Sequence, residues 1–238
     1  MLAVEVEDLV KDYGSFRALK GISLNVNEGE IFGLIGPNAA GKTTALRIIS
    51  TLLRITSGSV KVFGRDVTKE AGQVRQLISY LPEDAGAYKN LTGRRYLEFI
   101  AAFFKDGDEA KKMVERGIEI ASLGKRIDDK VDTYSKGMMR RLLVGRALMV
   151  KPKLAVLDEP TSGLDVVNAQ EVRKIIKKSV KEGATVLLSS HNMLEVEFLC
   201  ERIALINDGE IVEEGSPSEL KKRYQASNLE EAFTEVVK

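Results

Sequence analysis

Apolar and polar residues change their spacing several times along the chain, and each change marks a different kind of element. Alternation from Ala3 to Leu9 and again from Arg17 to Val26 reads as two strands of an antiparallel layer, with turns at Tyr13-Gly14-Ser15 and Asn27-Glu28-Gly29. Ile31 to Ile35 is a short apolar run of strand type, and after it Leu46, Ile49 and Leu53 share one face of a helix. Gly58 to Gly64 reads as a strand, Lys69 to Leu77 as a helix, and Ile78 to Leu81 as a strand halted by Pro82.

From Asn90 to Lys130 strand signals disappear. Leu97, Ile100, Ala101 and Phe104 follow helical spacing, then Met113, Gly117, Ile120 and Ala121 do so again, which predicts a helical insert. Ser135 opens a further helix, with Met138, Leu142, Gly145 and Met149 on one face, before Lys151-Pro152 stops it. Strands and helices then alternate. Leu154 to Leu157 and Thr185 to Leu188 are buried strands on either side of a helix that Asp165 caps and that ends near Gly183. Ile203 to Ile206 and Glu210 to Val212 flank the hairpin signal Asn207-Asp208-Gly209. Ser216-Pro217-Ser218-Glu219 opens a short C-terminal helix, and Leu229, Phe233 and Val236 give the tail helical spacing, to pack on the sheet or add to a dimer contact. Crossovers between buried strands imply an α/β fold with a mainly parallel sheet, which binds ligands at the carboxyl ends of its strands.

Composition narrows the partners. At 238 residues and 44% hydrophobic, the chain can bury one substantial core. Thirty-six basic residues against 35 acidic ones leave no net field towards nucleic acid or an anionic membrane, so no nucleic acid is expected. Met1 to Asp12 carries four acidic residues and no apolar core of signal-peptide length, and no run matches a membrane span. A single cysteine, Cys200, rules out an internal disulfide and fits a reducing cytoplasm, with burial as its expected role.

Against that background one segment dominates. Gly36-Pro37-Asn38-Ala39-Ala40-Gly41-Lys42-Thr43-Thr44 lies between a strand and a helix and fits the pattern GxxxxGK[ST]. Such a loop presents backbone N–H groups and a helix N-terminus to an anion, Lys42 brings positive charge to the outer phosphates, and Thr43 offers a hydroxyl to Mg2+. Asp158 and Glu159 follow a buried strand of the same sheet. Strand alternation sends them to different sides, so Asp158 can hold the Mg2+ shell while Glu159 orients and partly deprotonates a water. His191, the sole histidine, ends another strand at the same edge, where its ring can sense charge on a γ-phosphate; Asn192 is a helix cap with Glu195 three residues on. Ser135, Lys136 and Gly137 begin a helix far away in sequence and form a second anion site.

Taken together, these segments resemble the nucleotide-binding ATPase subunit of an ATP-binding cassette (ABC) transporter, over essentially the whole chain and in the family's order. Gly36 to Thr44 matches Walker A, Leu154 to Glu159 Walker B, Ser162 to Asp165 the D-loop, His191 the switch histidine, Tyr134 to Met138 the signature, and Tyr13 the aromatic ring that stacks on adenine. The resemblance implies a P-loop NTPase (RecA-like) core with a mainly parallel sheet, an N-terminal antiparallel β layer and an inserted α-helical subdomain. Residues 1–84 and 153–216 would form the core, 85–152 the helical part and 217–238 a helical tail. It also implies ATP and Mg2+ as ligands, with Glu83 near the metal, and a location on the inner face of the cell membrane beside a membrane-spanning permease. Two chains, alike or paired with a second ATPase subunit, would sandwich ATP between Walker A of one and the signature of the other.

Four positions depart from the family. Ala39 replaces a glycine, which costs about 1–2 kcal/mol if the backbone there has positive φ. Lys136 and Met138 replace a glycine and a glutamine, a form that resembles the exporter branch. Glu83 stands in place of the Q-loop glutamine. The permease groove of the family falls at Glu83 to Tyr96, where Ala87, Tyr88, Leu91 and Tyr96, beside Arg94 and Arg95, can furnish an apolar contact; two or three of Tyr96, Phe99, Phe103 and Phe104 are expected to pack the insert's own core instead. The alternatives are a non-transport ABC ATPase acting on nucleic acid or ribosomes, and a phosphotransferase, which would leave residues 134–138 unexplained.

Overall fold

The computed structural model describes residues 1–237, apart from the side chains of residues 194 and 195. The chain runs through β1 (Leu2–Tyr13), β2 (Phe16–Asn27), β3 (Ile31–Ile35), α1 (Lys42–Ile49), β4 (Ser57–Val62), β5 (Arg65–Asp66), α2 (Ala71–Arg75) and β6 (Ile78–Leu81). It continues through α3 (Gly93–Ala101), α4 (Gly107–Ala121), α5 (Lys136–Leu148), β7 (Leu154–Asp158), α6 (Val166–Lys181) and β8 (Thr185–Ser190). The last elements are α7 (Met193–Leu199), β9 (Arg202–Asn207), β10 (Glu210–Gly215), α8 (Pro217–Arg223) and α9 (Leu229–Val236).

Two sheets form. One has six strands in the order β10-β9-β3-β8-β7-β6, parallel except for the β9–β10 hairpin; the other has four antiparallel strands in the order β2-β1-β4-β5. Every residue of β3, β7 and β8 is buried, because both faces of the larger sheet are covered. The period-two alternation of side chains divides them between two cores. Phe32, Leu34, Val156 and Leu187 meet α1 and the antiparallel sheet through Leu46, Ile49, Val6 and Leu24. Ile31, Ile35, Leu157 and Leu188 meet the helices on the other face through Leu142, Val172, Ile176 and Val196.

Most local signals hold, with ends moved. The first two strands extend past the alternating stretches, whereas α1 stops at Ile49, so Leu53 packs on the core from outside any helix. The hairpin turn at Asp208 and Gly209 has positive φ at both residues, and Ser216 with Glu219 completes the capping box. Cys200 is buried. The Glu195 side chain expected to complete the Asn192 cap lies outside the described residues. In the tail, Leu229 is buried where α9 packs with α7 and α8.

One expectation fails. Of the aromatic residues assigned to the insert's own core only Tyr96 is buried, 2% exposed, while Phe99, Phe103 and Phe104 are 42%, 72% and 56% exposed. Phe99 stacks edge to face with both Phe103 and exposed Tyr88, in an exposed cluster that joins α3 to the residues beyond its two ends. Tyr96, being buried in the core, is not available for an outward contact.

Candidate active site

The loop after β3 is shaped by what crowds it. A Cβ on Gly36 would lie 2.0 Å from the carbonyl oxygen of Ile206 in β9, so no larger residue fits where loop and strand meet. The Ala40 carbonyl accepts from Gly209 N–H (3.0 Å), which pins the loop on the β9–β10 hairpin. Ala39 has φ +65°, the left-handed conformation in which alanine is strained. The helix α1 then starts with the amides of Lys42, Thr43 and Thr44 lacking backbone acceptors, and with no side-chain cap at Gly41. Unmet donors and the positive end of the helix dipole face the same cavity. It measures about 430 Å³ and is lined by residues 38–44 with Tyr13, Phe16, Ala18, Glu83 and Glu159.

Lys42, Glu159 and His191 interlock beside it. Lys42 Nζ donates to the carbonyls of Gly36 (2.7 Å) and Pro37 (3.0 Å) and lies 3.5 Å from Glu159 Oε1. Glu159 Oε2 is 2.9 Å from His191 Nδ1. Both Lys42 and Glu159 are buried, so each is the compensating charge for the other. Alternation along β7 does not account for this placement. The strand ends at Asp158, and Glu159 turns away with φ +49°, its N–H held by Ser189 Oγ at 3.0 Å.

Asp158 has its own set of donors. Ser189 Oγ gives it a 2.6 Å hydrogen bond, Thr43 Oγ1 one of 3.2 Å and Tyr80 Oη one of 3.3 Å. Burial, and then the Asp158 charge, push the Tyr80 hydroxyl up to about 12, so it stays a donor at neutral pH. Glu83 reaches the cavity but bonds elsewhere: Oε1 accepts from Ser162 Oγ (3.2 Å), and its carbonyl accepts from buried Arg140 (2.8 Å), whose own pKa burial lowers. A Thr hydroxyl beside a buried carboxylate fits Mg2+, a hard cation that takes one or two protein oxygens and completes its shell with phosphates and water. Among the described residues no cluster of three His, Cys, Asp or Glu side chains forms that would hold an ion without such help.

The remaining candidates sit apart. Ser135 caps α5 through Met138 N–H (3.2 Å), and Asp165 caps α6 through Asn168 N–H (2.9 Å), a bond that with the Asn168 side chain holds the Asp165 carboxyl below its ordinary range. Neither helix start lines the cavity. Phe16, Ser189 and Tyr80 carry no motif of their own, and only the pairing of β7 with β8 and β6 brings the last two side chains to Asp158. A larger cleft of about 650 Å³ lies where α4, α5 and α6 end. Two of its lysines are paired with its glutamates, Lys178 with Glu119 (2.9 Å) and Lys174 with Glu171 (2.8 Å), and it holds none of the groups described above.

The chain is similar to known proteins in sequence and in fold. Residues 19–162 match the family model described as ABC transporter. The linearmycin resistance ATP-binding protein LnrL of Bacillus subtilis is 38% identical over 95% of this chain and 73% of its own length. The daunorubicin/doxorubicin resistance ATP-binding protein DrrA of Streptomyces peucetius is 40% identical over 95% of this chain and 69% of its own. Among solved structures, an ATP-binding subunit of an ABC transporter superposes with TM-score 0.87 at 26% identity, over 99% of this chain and 100% of that one. A dimeric ATP-binding cassette in a post-hydrolysis state, bound to ADP and Pi, superposes with TM-score 0.79 at 27% identity, over 90% and 98% of the two chains.

Proposed function

Because this chain belongs to the ATP-binding proteins of ABC transporters, we propose that it binds and hydrolyses ATP to power a membrane exporter, working as one half of a dimer. The observation that carries the reading is the meeting of the 36–44 loop, Asp158, Glu159 and His191 at one sheet edge, while Ser135 and Asp165 begin helices outside that cavity. A triphosphate in the loop replaces the Gly36 and Pro37 carbonyls as partner of Lys42 and takes up the free amides of α1. The aromatic mouth formed by Tyr13 and Phe16 suits a purine face.

Mg2+, when bound, neutralises charge on the outer phosphate oxygens; Thr43 and Asp158 would hold it, with Glu83 at its edge. Glu159 accepts a proton from water as the water oxygen attacks the γ-phosphorus, and the bond to the β–γ bridging oxygen breaks to leave ADP and phosphate. His191 holds the Glu159 carboxylate in place through its ring N–H. Ser135, Lys136 and Gly137 of a second chain would supply the missing donors, so loss of the γ-phosphate loosens the pair. The drug-resistance names of the relatives support export, and the exposed Tyr88, Phe99 and Phe103 offer an apolar surface to a permease on the inner face of the membrane. No helix among the described residues is long and apolar enough to cross a membrane.

The test is oligomeric state against nucleotide. Glu159→Gln should give a dimer in saturating Mg-ATP that elutes ahead of the nucleotide-free chain on size exclusion. A monomer under those conditions, or turnover per chain that does not fall on dilution, overturns the sandwich.

A further inference from the structure

The first turns of α5 and α6 are locked together by two side chains, each of which fills the space a glycine leaves on the other segment. An ideal Cβ on Gly137 would lie 2.2 Å from Asn168 Cγ, 2.3 Å from Oδ1 and 2.6 Å from Nδ2. In return Lys136 covers Gly163, where a Cβ would stand 1.9 Å from its Nζ. The two contacts differ in stiffness. Lys136 is exposed and can swing its long side chain aside. Asn168 is tied down: its N–H donates to Asp165 Oδ1 (2.9 Å) and its Nδ2 to Asp165 Oδ2 (2.6 Å), so rotating it off Gly137 breaks the second bond. Gly137 is buried beneath it, in a turn whose cap, Ser135, is exposed.

We propose that Asn168 is a positioning residue: by seating on Gly137 it fixes the Ser135–Gly137 segment against the segment from Gly163 to Asp165, so that both meet a partner as one rigid body. The inference rests on the reading that residues 135–137 close over a nucleotide held by a second chain. It gives Gly137 a cause within its own chain, the fit of the asparagine, in addition to its approach to the partner's nucleotide. The 2.2–2.6 Å overlaps at Gly137, all far inside normal contact distance, mean that a methyl added there must move one helix start relative to the other unless Asn168 gives up its bond to Asp165.

The test is compensation between the two positions. Gly137→Ala should lower ATP turnover by about 10–100-fold, the scale on which misplacement of order 1 Å acts, while Mg-ATP binding to the monomeric chain, which uses the distant 36–44 loop, stays within about twofold. Asn168→Ala removes all three overlapping atoms, so the Gly137→Ala/Asn168→Ala double variant should regain turnover to within about threefold of Asn168→Ala alone, as expected for residues in direct contact. A double variant as inactive as Gly137→Ala, or a Gly137→Ala chain with native turnover, overturns the proposal. If Gly137→Ala does not fold, Asn168→Ala decides: it adds no atom and should still lower turnover by roughly 3–10-fold, as loosened positioning does, and native turnover overturns the idea. Failure of the sandwich reads out separately, as a Glu159→Gln chain that stays monomeric in ATP with positions 137 and 168 native.

Discussion

The left-handed alanine in the phosphate loop makes a prediction whose sign is not the usual one for glycine. Ala39 has φ +65° and is exposed, so Ala39→Gly removes a strain of about 1–2 kcal/mol and loses no buried surface. The opposing term is the extra freedom of glycine in the unfolded chain, about 0.5–1 kcal/mol. The difference, about 0.5–1 kcal/mol in favour of the variant, corresponds in a chain of this size to a rise in Tm of about 1–4 °C. Its neighbour is the control. Ala40 is buried and has no positive φ, so Ala40→Gly adds the same freedom, relieves nothing and exposes a methyl-sized gap. Adding about 0.8 kcal/mol for the lost methyl gives a loss of about 1–2 kcal/mol and a fall in Tm of about 2–8 °C. Thermal unfolding by circular dichroism without nucleotide reads both, and opposite signs at adjacent alanines are the expected result. A lower Tm for Ala39→Gly, or equal falls for the two variants, would refute the claim that the empty loop stores strain at position 39.

The other predictions follow from the cavity floor. Lys42→Ala removes the mobile cation and its charge-assisted bonds, each of about 1.5–3 kcal/mol, so Mg-ATP should bind about 10–100-fold more weakly by titration calorimetry; affinity within twofold of native would rule out the assigned role. Ser189→Ala leaves the buried Glu159 N–H and Asp158 Oδ1 short of a partner, at about 1–3 kcal/mol, which predicts a Tm lower by roughly 2–10 °C and a higher Mg2+ requirement for turnover; an unchanged Tm counts against the hydrogen-bond pattern. Tyr80 titrates at about 12 in the folded chain against 10.0 in its ordinary state, so the fold holds the proton more tightly than the unfolded chain does. Its contribution is therefore complete below pH 10 and is lost as pH rises towards about 12. Tyr80→Phe should flatten the fall in stability across that window in urea titrations at stepped pH, and an identical alkaline limb in both chains would contradict the assignment.

Some of this site could be read from the chain because its signals are local. The loop 36–44, the caps Ser135 and Asp165, and the apolar runs of β3 and β7 each depend on residues within a few positions of one another. What escaped depends on strand neighbours and on backbone conformation. Ser189 and Tyr80 look like ordinary strand residues until β8 and β6 are placed on either side of β7. Glu159 looked like the next residue of an alternating strand, but its positive φ lies beyond what a polar–apolar pattern encodes. The exposure of Phe99, Phe103 and Phe104 escaped for the opposite reason. Their spacing continues that of α3, yet the helix ends at Ala101, and spacing alone says neither where a helix stops nor whether a second element covers it.

The order of strands also explains why a helical insert between β6 and β7 stays connected to chemistry at the other end of its helices. β6 is the edge strand beside β7, so the chain leaves the sheet next to Asp158 and returns to it there. On the way back α5 grips the strand it left: Arg146 donates to Tyr80 O at 3.2 Å, and Arg140 to Glu83 O at 2.8 Å and Pro82 O at 3.5 Å. Arg140 is buried and spends its donors on backbone carbonyls, which fix the position of the main chain as a side-chain partner would not. Glu83 thereby has three attachments: its carbonyl to α5, its carboxylate to Ser162 ahead of α6, and its surface to the cavity beside Lys42. Residues 82 and 83 are thereby bonded both to α5 and to the segment ahead of α6, whose first turns Asn168 and Gly137 join.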